Sequence, residues 1–465
     1  MLTYDLSGRN RTPLYEALYR GIRRDILNGT LEAGQQLPSK RALAEHLQVS
    51  VITVENAYAQ LAAEGYVYTR PRRGFFVSRI ERAPETSSQE KQALPQALPE
   101  QRWVLDLKTN QVDASRFPFA VWSRLSRQSL TRERELLVRP VPCRGLPVLR
   151  QAIARDLRDY RGMAVSPEQI VIGAGAEYLY LLLGQMLGRD TVLAVEDPGY
   201  AKIAQVYRRS GVRCVPVPLD AEGMCLKELR RSGAAAAHLS PSHHYPTGIV
   251  TPIRRRQELL HWAEETGGLL IEDDYDSEFR FSGRPLPTLQ SIDRTERVIY
   301  MNTFSQTISP AMRMGFLVLP SRLTEQWRED LDLYTCPVPA MEQSVLARFI
   351  SDGQYERHLA RMRSEYRARR DAVLEAFRQS AFADRISISE QGAGLHFLMR
   401  LDTKRSDAQI RRAAEEMGVR LGFLSEYAAA PNPSLAHTLV INYAGLEPEN
   451  LPQAMELLRR VFEEK

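Results

Sequence analysis

Residues 269–279 read LLIEDDYDSEF, three apolar residues followed by a segment with five carboxylates. The apolar residues predict a buried β-strand, and Asp273 comes where that strand is expected to end. A carboxylate in such a place loses its hydration, which is costly unless a cationic partner lies beside it. Tyr275 follows two residues later. The segment therefore predicts a polar site at the end of a buried strand.

Short apolar runs alternate with longer helical patterns on both sides of this segment. This alternation predicts an α/β fold, a mostly parallel sheet covered by helices. In such folds ligands bind at the carboxyl ends of the strands. The predicted strands are 170–172, 192–195, 214–217, 269–271, 298–300 and 316–319, and the predicted helices are 146–161, 176–187, 252–266 and 340–378.

Further polar motifs follow other predicted strands. The sequence GAGA at 173–176 opens a helix, so its backbone N–H groups are suited to a phosphate. The sequence EDPGY ends another strand at Tyr200 and brings an aromatic ring to the same edge. In LSPSHHYPTG, His243 and His244 are adjacent and point in different directions, so we expect no metal site there. The sequence YMNTFSQTISPAMRMGF, residues 300–316, clusters Thr303, Ser305 and Arg313.

The whole chain has the composition of a soluble globular protein. It has 465 residues, 43 % hydrophobic and 26 % charged, long enough for two or three domains. No apolar run is long enough for a membrane span and the first residues lack a signal pattern, so we expect a cytoplasmic protein. The four cysteines are far apart, which predicts free thiols and neither a zinc site nor disulfides.

The excess positive charge is concentrated near the N-terminus. Residues 1–80 hold 11 Lys and Arg against 7 Asp and Glu, whereas the other 385 residues hold 51 against 50. Such an asymmetry is typical of a small nucleic-acid-binding module attached to a neutral domain.

The pattern of the first 80 residues predicts a winged helix-turn-helix. A first helix is capped by Thr12, has Pro13 as its first helical residue and ends at 28–29. Two short helices are then joined by a three-residue turn, and Ser50 caps the second of them. In a helix-turn-helix the second helix is the one that enters the major groove of DNA. Two β-rich runs then flank a turn that carries Arg70, Arg72 and Arg73.

Residues 37–77, LPSKRALAEHLQVSVITVENAYAQLAAEGYVYTRPRRGFFV, resemble the GntR regulator family over about residues 11–78. The resemblance implies contacts with double-stranded operator DNA from the helix-turn-helix and from the wing. Val51 stands where the family usually has arginine after the turn serine, which removes one expected phosphate contact. The implied DNA-binding residues are Arg41, Ser50 and Thr53 in the helix-turn-helix, and Arg72, Arg73 and Gly74 in the wing.

A composition change separates this module from the rest of the chain. Residues 79–102 contain Pro84, Pro95 and Pro99 among Ser, Gln and Glu, with no apolar periodicity. We therefore predict a DNA-binding domain at 1–78, a flexible linker at 79–102 and a larger domain at 103–465.

The motifs SPSHxxPTG, IEDDYDSEF and TFSxTxSPAMRxG together resemble the MocR branch of the GntR family. The resemblance implies that residues 103–465 form a fold-type I aminotransferase-like domain with a C-terminal α+β subdomain, and that the chain is a homodimer in a head-to-tail arrangement. It also implies pyridoxal 5′-phosphate as cofactor. The ring would be contacted by Asp273 at its nitrogen, Tyr275 at its oxygen, Tyr200 on its face and His243, and the phosphate by Gly175, Ala176, Thr303, Ser305 and Arg313.

Gln306 occupies the position at which this family has its Schiff-base lysine. A carboxamide is not a nucleophile, so no covalent link to the cofactor can form there and any cofactor is held non-covalently. Three explanations stay open at this stage. The glutamine is a substitution introduced to remove the link, or the natural residue of a regulator that holds its ligand reversibly, or the mark of a protein that has lost the cofactor.

The sequence favours a DNA-binding transcriptional regulator that senses pyridoxal phosphate or its adduct with an amine or amino acid, rather than an enzyme. A working aminotransferase with a DNA-binding arm is the rival, and Gln306 argues against it because lysine also carries the proton in transamination. A third possibility is a cofactor-free dimerisation scaffold on a repressor. The sequence does not identify the effector.

Overall fold

The structure, a computed structural model, describes residues 2–4, 13–80, 103–109, 116–281, 286–389 and 392–463. The chain forms two compact units, Met1–Glu100 and Gln101–Lys465. Apart from residues 79 and 80, the predicted linker lies outside the described residues. None of the helices in the described ranges is long and apolar enough to cross a membrane.

The N-terminal unit is a winged helix-turn-helix, as the sequence predicts. Ser39 and Ser50 begin the second and third helices, because their hydroxyl groups accept the N–H groups of Ala42 and Thr53. The elements are α1 (Leu14–Asn28), α2 (Lys40–Leu47), α3 (Val51–Ala63), β1 (Val67–Arg70) and β2 (Gly74–Val77).

The helices of this unit enclose a core of their own, in which Leu18, Ile22, Val54 and Leu61 are fully buried. Pro13 is the residue that precedes α1 and not its first helical residue, so that detail of the prediction is wrong. The predicted cap, Thr12, lies outside the described residues.

The wing is an antiparallel hairpin in which Val67 pairs with Val77. Arg72 has a φ of 61° and Gly74 one of 97°, so the turn between the strands uses left-handed backbone. Arg70 is not at the tip, contrary to the prediction. It ends β1, and its guanidinium lies 5.0 Å from the ring centroid of Phe76.

The large unit contains thirteen helices and thirteen strands in its described part. The helices are α4 (Phe119–Arg132), α5 (Arg134–Val138), α6 (Pro147–Arg161), α7 (Ala176–Leu187), α8 (Ala201–Arg209), α9 (Leu226–Arg231), α10 (Ile253–Thr266), α11 (Leu289–Ile292), α12 (Ser321–Leu331), α13 (Ala340–Ser351), α14 (Gln354–Arg378), α15 (Asp407–Glu416) and α16 (Leu451–Phe462). The strands are β3 (Leu105–Asp106), β4 (Ile170–Gly173), β5 (Val192–Asp197), β6 (Arg213–Asp220), β7 (Gly223–Met224), β8 (Ala236–Leu239), β9 (Leu269–Asp273), β10 (Val298–Thr303), β11 (Gly315–Val318), β12 (Ile386–Ser389), β13 (His396–Leu401), β14 (Val419–Arg420) and β15 (Thr438–Asn442).

Eight strands form the central sheet, in the order β4-β11-β10-β9-β8-β5-β6-β7. Strands β10, β9, β8, β5 and β6 are parallel to their neighbours in that run. Strand β11 is antiparallel to both β10 and β4, so β4 again runs with the majority. The predicted mostly parallel sheet is confirmed.

Two details of the sheet domain differ from the sequence prediction. Strand β8 was missed, because its sequence AAHL has none of the β-branched residues that mark a buried strand. The helical pattern at 340–378 forms two helices, since the chain turns at Gly353, which has a φ of 65°.

The C-terminal part of this unit is an α+β subdomain, as expected. Strands β12, β13 and β15 form an antiparallel sheet in that order. Phe377 on α14, Phe397 on β13 and Leu458 on α16 are fully buried in one apolar cluster beside it.

The strand ends bring the polar motifs to one edge of the central sheet. Asp273 pairs with Met301, two residues before Thr303, and Glu272 pairs with Leu239. Gly315 pairs with both Thr303 and Gly173. We call the edge defined by Gly173, Leu239, Asp273 and Thr303 the strand-end site.

Candidate functional site

The carboxylate of Asp273 is buried at the end of β9 with one oxygen bound and the other unpaired. The Tyr180 hydroxyl donates to Oδ2 at 2.6 Å, and His238 Nε2 lies 3.4 Å from the same oxygen. Oδ1 is buried and has no hydrogen-bond partner among the described residues. A phenol and an imidazole of the protein therefore lie against one oxygen, and the other acceptor stays available at the strand-end site.

The residues that hold Asp273 come from elements far away in the sequence. Tyr180 lies on α7 and His238 on β8, and the Tyr207 hydroxyl on α8 lies 3.1 Å from His238 Nδ1. Burial and the charge of Asp273 raise the pKa of Tyr180 far above its usual value, so its hydroxyl keeps the proton that it donates. Sequence reasoning missed all three, because Tyr180 and Tyr207 fall on apolar helix faces that look like core.

His243 lies against the segment that follows β9. Its Nδ1 is 2.8 Å from Asp276 Oδ2 and 3.2 Å from the Tyr275 hydroxyl. Its Nε2 is buried without a partner in the described part of the chain. The structure thus brings His243 and Tyr275 together, as the predicted roles require.

Gly394 is a further residue of this region that the sequence did not indicate. It has a φ of 70°, and a Cβ atom added to it would lie 1.8 Å from His243 Cε1. Only glycine therefore allows this loop to approach the imidazole of His243 so closely.

The start of α7 and the guanidinium of Arg313 form the corner predicted to bind phosphate. Gly175, with a φ of 86°, precedes Ala176, the first residue of α7. A Cβ added to Gly175 would lie 3.1 Å from Arg313 Cζ, so the guanidinium is next to the helix N-terminus. Arg313 also donates to Glu177 at 2.6 Å, an ion pair that remains half-exposed.

Ser305 and Gln306 follow the end of β10 at Thr303 and are partly buried. The amide oxygen of Gln306, Oε1, is buried and lacks a hydrogen-bond partner in the described ranges. Gln306, the residue predicted to stand in the lysine position, therefore offers an unpaired acceptor.

Tyr200 lies between the end of β5 and the start of α8, and 41 % of its surface is exposed. Its ring meets that of Tyr245 edge-on at 6.0 Å between centroids. Tyr245 is held in turn by a 2.8 Å hydrogen bond between its hydroxyl and that of Tyr427.

Glu196 fixes the loop that carries His243, a role the sequence did not reveal. Its carboxyl accepts the Ser240 N–H at 2.9 Å and lies 3.4 Å from His244 Nε2. Burial raises the pKa of Glu196 to about 8 and lowers that of His244 to about 3. Both side chains are therefore neutral near pH 7, and neither adds a charge beside the site.

The predicted DNA-binding residues lie on exposed parts of the N-terminal unit, except for Thr53, which is half-buried. The hydroxyl groups of Ser50 and Thr53 are 2.8 Å apart and stabilise the start of α3. Val51 and Ile52 in the first turn of α3 are 42 % and 68 % exposed. The first turn of α3 therefore exposes two apolar side chains, in the helix that is predicted to enter the major groove.

Comparison with known proteins assigns both units to families. The model for "Bacterial regulatory proteins, gntR family" matches residues 14–77, and that for "Aminotransferase class I and II" matches residues 102–458. The "Probable rhizopine catabolism regulatory protein MocR" of Rhizobium meliloti is 32 % identical over 97 % of this chain and 94 % of its own length. The chain belongs to the MocR-type regulators of the GntR family.

Other MocR-type relatives are also named as regulators of transcription. The uncharacterized HTH-type transcriptional regulator YdeL of Bacillus subtilis is 35 % identical over 97 % of this chain and 98 % of that protein. The pyridoxine biosynthesis transcriptional regulator PdxR of Corynebacterium glutamicum is 32 % identical over 91 % of this chain and 90 % of PdxR. This MocR-type protein is accordingly a DNA-binding transcriptional regulator.

The large unit has the fold of the pyridoxal-phosphate-dependent aminotransferases. The α-aminoadipate aminotransferase LysN of Thermus thermophilus, solved with N-(5′-phosphopyridoxyl)-L-leucine, matches with a TM-score of 0.67 and 25 % identity. The match covers 77 % of this chain and 91 % of that structure.

The buried carboxyl of Glu196 makes a pH-dependent contribution to stability. Because its pKa is raised from 4.5 to about 8, this contribution is complete below the unfolded pKa and is lost as the pH rises through 8. Glu196→Gln removes this titration. Between about pH 6 and pH 9 we expect the large unit of the wild type to lose about 2 kcal/mol more free energy of unfolding than the variant.

Urea denaturation of the full chain at both pH values measures this difference. Glu264→Gln, the same change at an exposed position near the end of α10, is the control and should follow the wild type. Equal pH dependence in the wild type and Glu196→Gln would contradict the prediction.

Arg41→Ala should weaken operator binding in a mobility-shift assay. If the guanidinium contacts a phosphate, the slope of log affinity against log salt should also fall by about one unit. Arg20→Ala is the control, because Arg20 is exposed on α1 and ion-paired with Glu16. Unchanged affinity in Arg41→Ala would remove this residue from the DNA-binding surface.

Proposed function

We propose that this MocR-type regulator senses pyridoxal 5′-phosphate, or its adduct with an amine or amino acid, through the strand-end site. The observation that carries the proposal is the buried, unpaired Oδ1 of Asp273. A buried carboxylate oxygen without a donor is costly in free energy, and a protonated pyridine nitrogen is the donor that would satisfy it.

The residues around Asp273 fit the rest of this cofactor. When bound, pyridoxal phosphate supplies an electron-withdrawing pyridinium ring. Asp273 would keep the ring nitrogen protonated and Tyr275 would donate to the ring oxygen. Tyr200 would cover the ring face, with His243 beside Tyr275.

The phosphate would lie at the start of α7. There the backbone N–H of Ala176 lies at the positive end of the helix dipole, and that of Gly175, which binds the Gly173 carbonyl at 2.9 Å, would exchange this contact for the phosphate. The hydroxyl groups of Thr303 and Ser305 would add donors. Arg313 would bind two phosphate oxygens with its planar guanidinium, for which it must exchange its contact with Glu177.

The proposed function includes no catalytic turnover. Gln306 has neither a nucleophilic nitrogen nor a proton to exchange near pH 7, so it can replace lysine neither as covalent partner nor as proton carrier. Binding would be reversible, which is what a sensor requires. The rival function, an aminotransferase with a DNA-binding arm, has no residue for these steps in the lysine position.

We further propose that the regulator acts as a head-to-tail homodimer on operator DNA with two half-sites. The large unit exposes big apolar side chains outside the strand-end site, such as Phe119, Val138 and Leu333, of which 67 %, 83 % and 75 % is accessible. An interface that covered these side chains would remove their apolar surface from water, which would stabilise a dimer. The proposed linker at 79–102 would let the domain at 1–78 reach the partner of the domain at 103–465.

Gln306→Lys should restore the covalent link to the cofactor. On addition of pyridoxal phosphate we expect a visible absorption band, and borohydride reduction should add the cofactor mass to the peptide that contains position 306. The wild type should gain neither. Arg189→Lys, which adds a lysine after α7, is the control. A lysine variant without band or adduct would leave the cofactor-free scaffold as the better function.

The full chain should have the mass of a dimer in multi-angle light scattering. Val138→Asp places a charge in the proposed interface and should shift the mass toward the monomer at low micromolar concentration, because a buried unpaired charge is costly. A monomeric wild type at micromolar concentration would contradict the homodimer.

A further inference from the structure

We infer that the strand-end site selects the amine form of the vitamer, pyridoxamine 5′-phosphate, over the aldehyde. The inference rests on the proposed function and names the ligand form that the site would take. It comes from the polar atoms that this site leaves unpaired, and from the residue that stands in the lysine position.

Two oxygens among the proposed ligand contacts are buried without a hydrogen-bond partner in the described part of the chain, and both can only accept. They are Asp273 Oδ1 and Gln306 Oε1. A ligand that satisfies this site must therefore bring donors.

The two forms of the ligand differ in what they offer at the C4′ position. An aldehyde oxygen can only accept a hydrogen bond, whereas an ammonium group can only donate. Both forms bring a ring N–H for Asp273. Only the amine brings a further donor for the amide oxygen of Gln306, and a buried acceptor left unpaired is costly.

The absence of charge on Gln306 also favours the amine over the aldehyde. A lysine at this position would repel an ammonium on the ligand while it is protonated, and as the neutral amine it would condense with an aldehyde with loss of water. A neutral glutamine removes both effects, so the aldehyde loses its covalent partner and the amine loses its like-charged neighbour.

Two lysines near the site are engaged elsewhere. Lys202, two residues after Tyr200, forms a 2.7 Å ion pair with Glu177, and Lys108 forms one of 2.6 Å with Glu426. Neither ammonium group is available to replace the missing lysine without breaking its ion pair.

The test is titration calorimetry of the full chain with three ligands. Pyridoxamine 5′-phosphate and 4′-deoxypyridoxine 5′-phosphate differ only by the amine, so the ratio of their Kd values isolates the contact at C4′. Pyridoxal 5′-phosphate is the third ligand. We expect the amine to bind at least about tenfold more tightly than either of the others, because hydrogen bonds that involve a charged group are the stronger ones.

Gln306→Leu keeps a side chain of similar size without the acceptor, so the ratio between the amine and the deoxy ligand should fall to about one. Gln290→Leu is the matched control: Gln290 also has a buried, unpaired Oε1 but lies on α11, where its backbone N–H binds Glu272. That variant should keep the wild-type ratio. Gln306→Glu retains an acceptor and adds negative charge, so its ratio should rise even if the leucine variant fails to fold.

The outcomes distinguish a failure of the proposed cofactor site from a failure of the selection for the amine. If no ligand binds the wild type, the proposed cofactor site itself is wrong. If all three ligands bind with similar Kd values, the site exists but the selection of the amine is overturned. The selection is also overturned if the amine is preferred and Gln306→Leu keeps the full preference, because the contact at C4′ is then not with Gln306.

Discussion

The buried carboxylate of Asp273 constrains the architecture around it. A carboxylate with 3 % of its surface exposed needs donors, and the donors come from two different layers of the fold, Tyr180 on α7 and His238 on β8. The helix that supplies Tyr180 is also the helix whose N-terminus adjoins Arg313. Helix α7 therefore positions both the donor to Asp273 and the N-terminus beside Arg313.

Much of the fold is predictable from local patterns, because those patterns report local physics. The apolar runs of β4, β5, β6, β9, β10 and β11 and the serine caps of α2 and α3 are visible in the sequence. Strand β8 is not visible in the sequence, because its residues AAHL have no strong β-propensity. They form a strand because the strands on either side bury them. The break at Gly353, between α13 and α14, is not visible either, because the helical pattern continues on both sides of it.

The candidate site is predictable only in part, for a different reason. The motif residues Asp273, Tyr275 and His243 could be named, and the structure brings them to one edge. Their partners could not, because Tyr180 precedes Asp273 by 93 residues and Gly394 follows it on another subdomain. Tyr180 and His238 are the side chains that lie against the Asp273 carboxylate. Their identity depends on packing, which no local pattern contains.

Under the proposed function, a glutamine at position 306 in place of a covalent partner changes what the large unit can do with a bound ligand. A covalently held cofactor stays in place whatever its free concentration, whereas a reversibly held one has an occupancy that follows that concentration. At 100 times Kd such a ligand stabilises the state that binds it by about 2.7 kcal/mol, and it shifts a two-state equilibrium only by its difference in affinity for the two states. A regulator needs a ligand that binds its two states with different affinity, whereas an aminotransferase needs a lysine at the position of Gln306. Under the proposed function, the loss of the amine at position 306 is therefore part of how the protein senses its ligand.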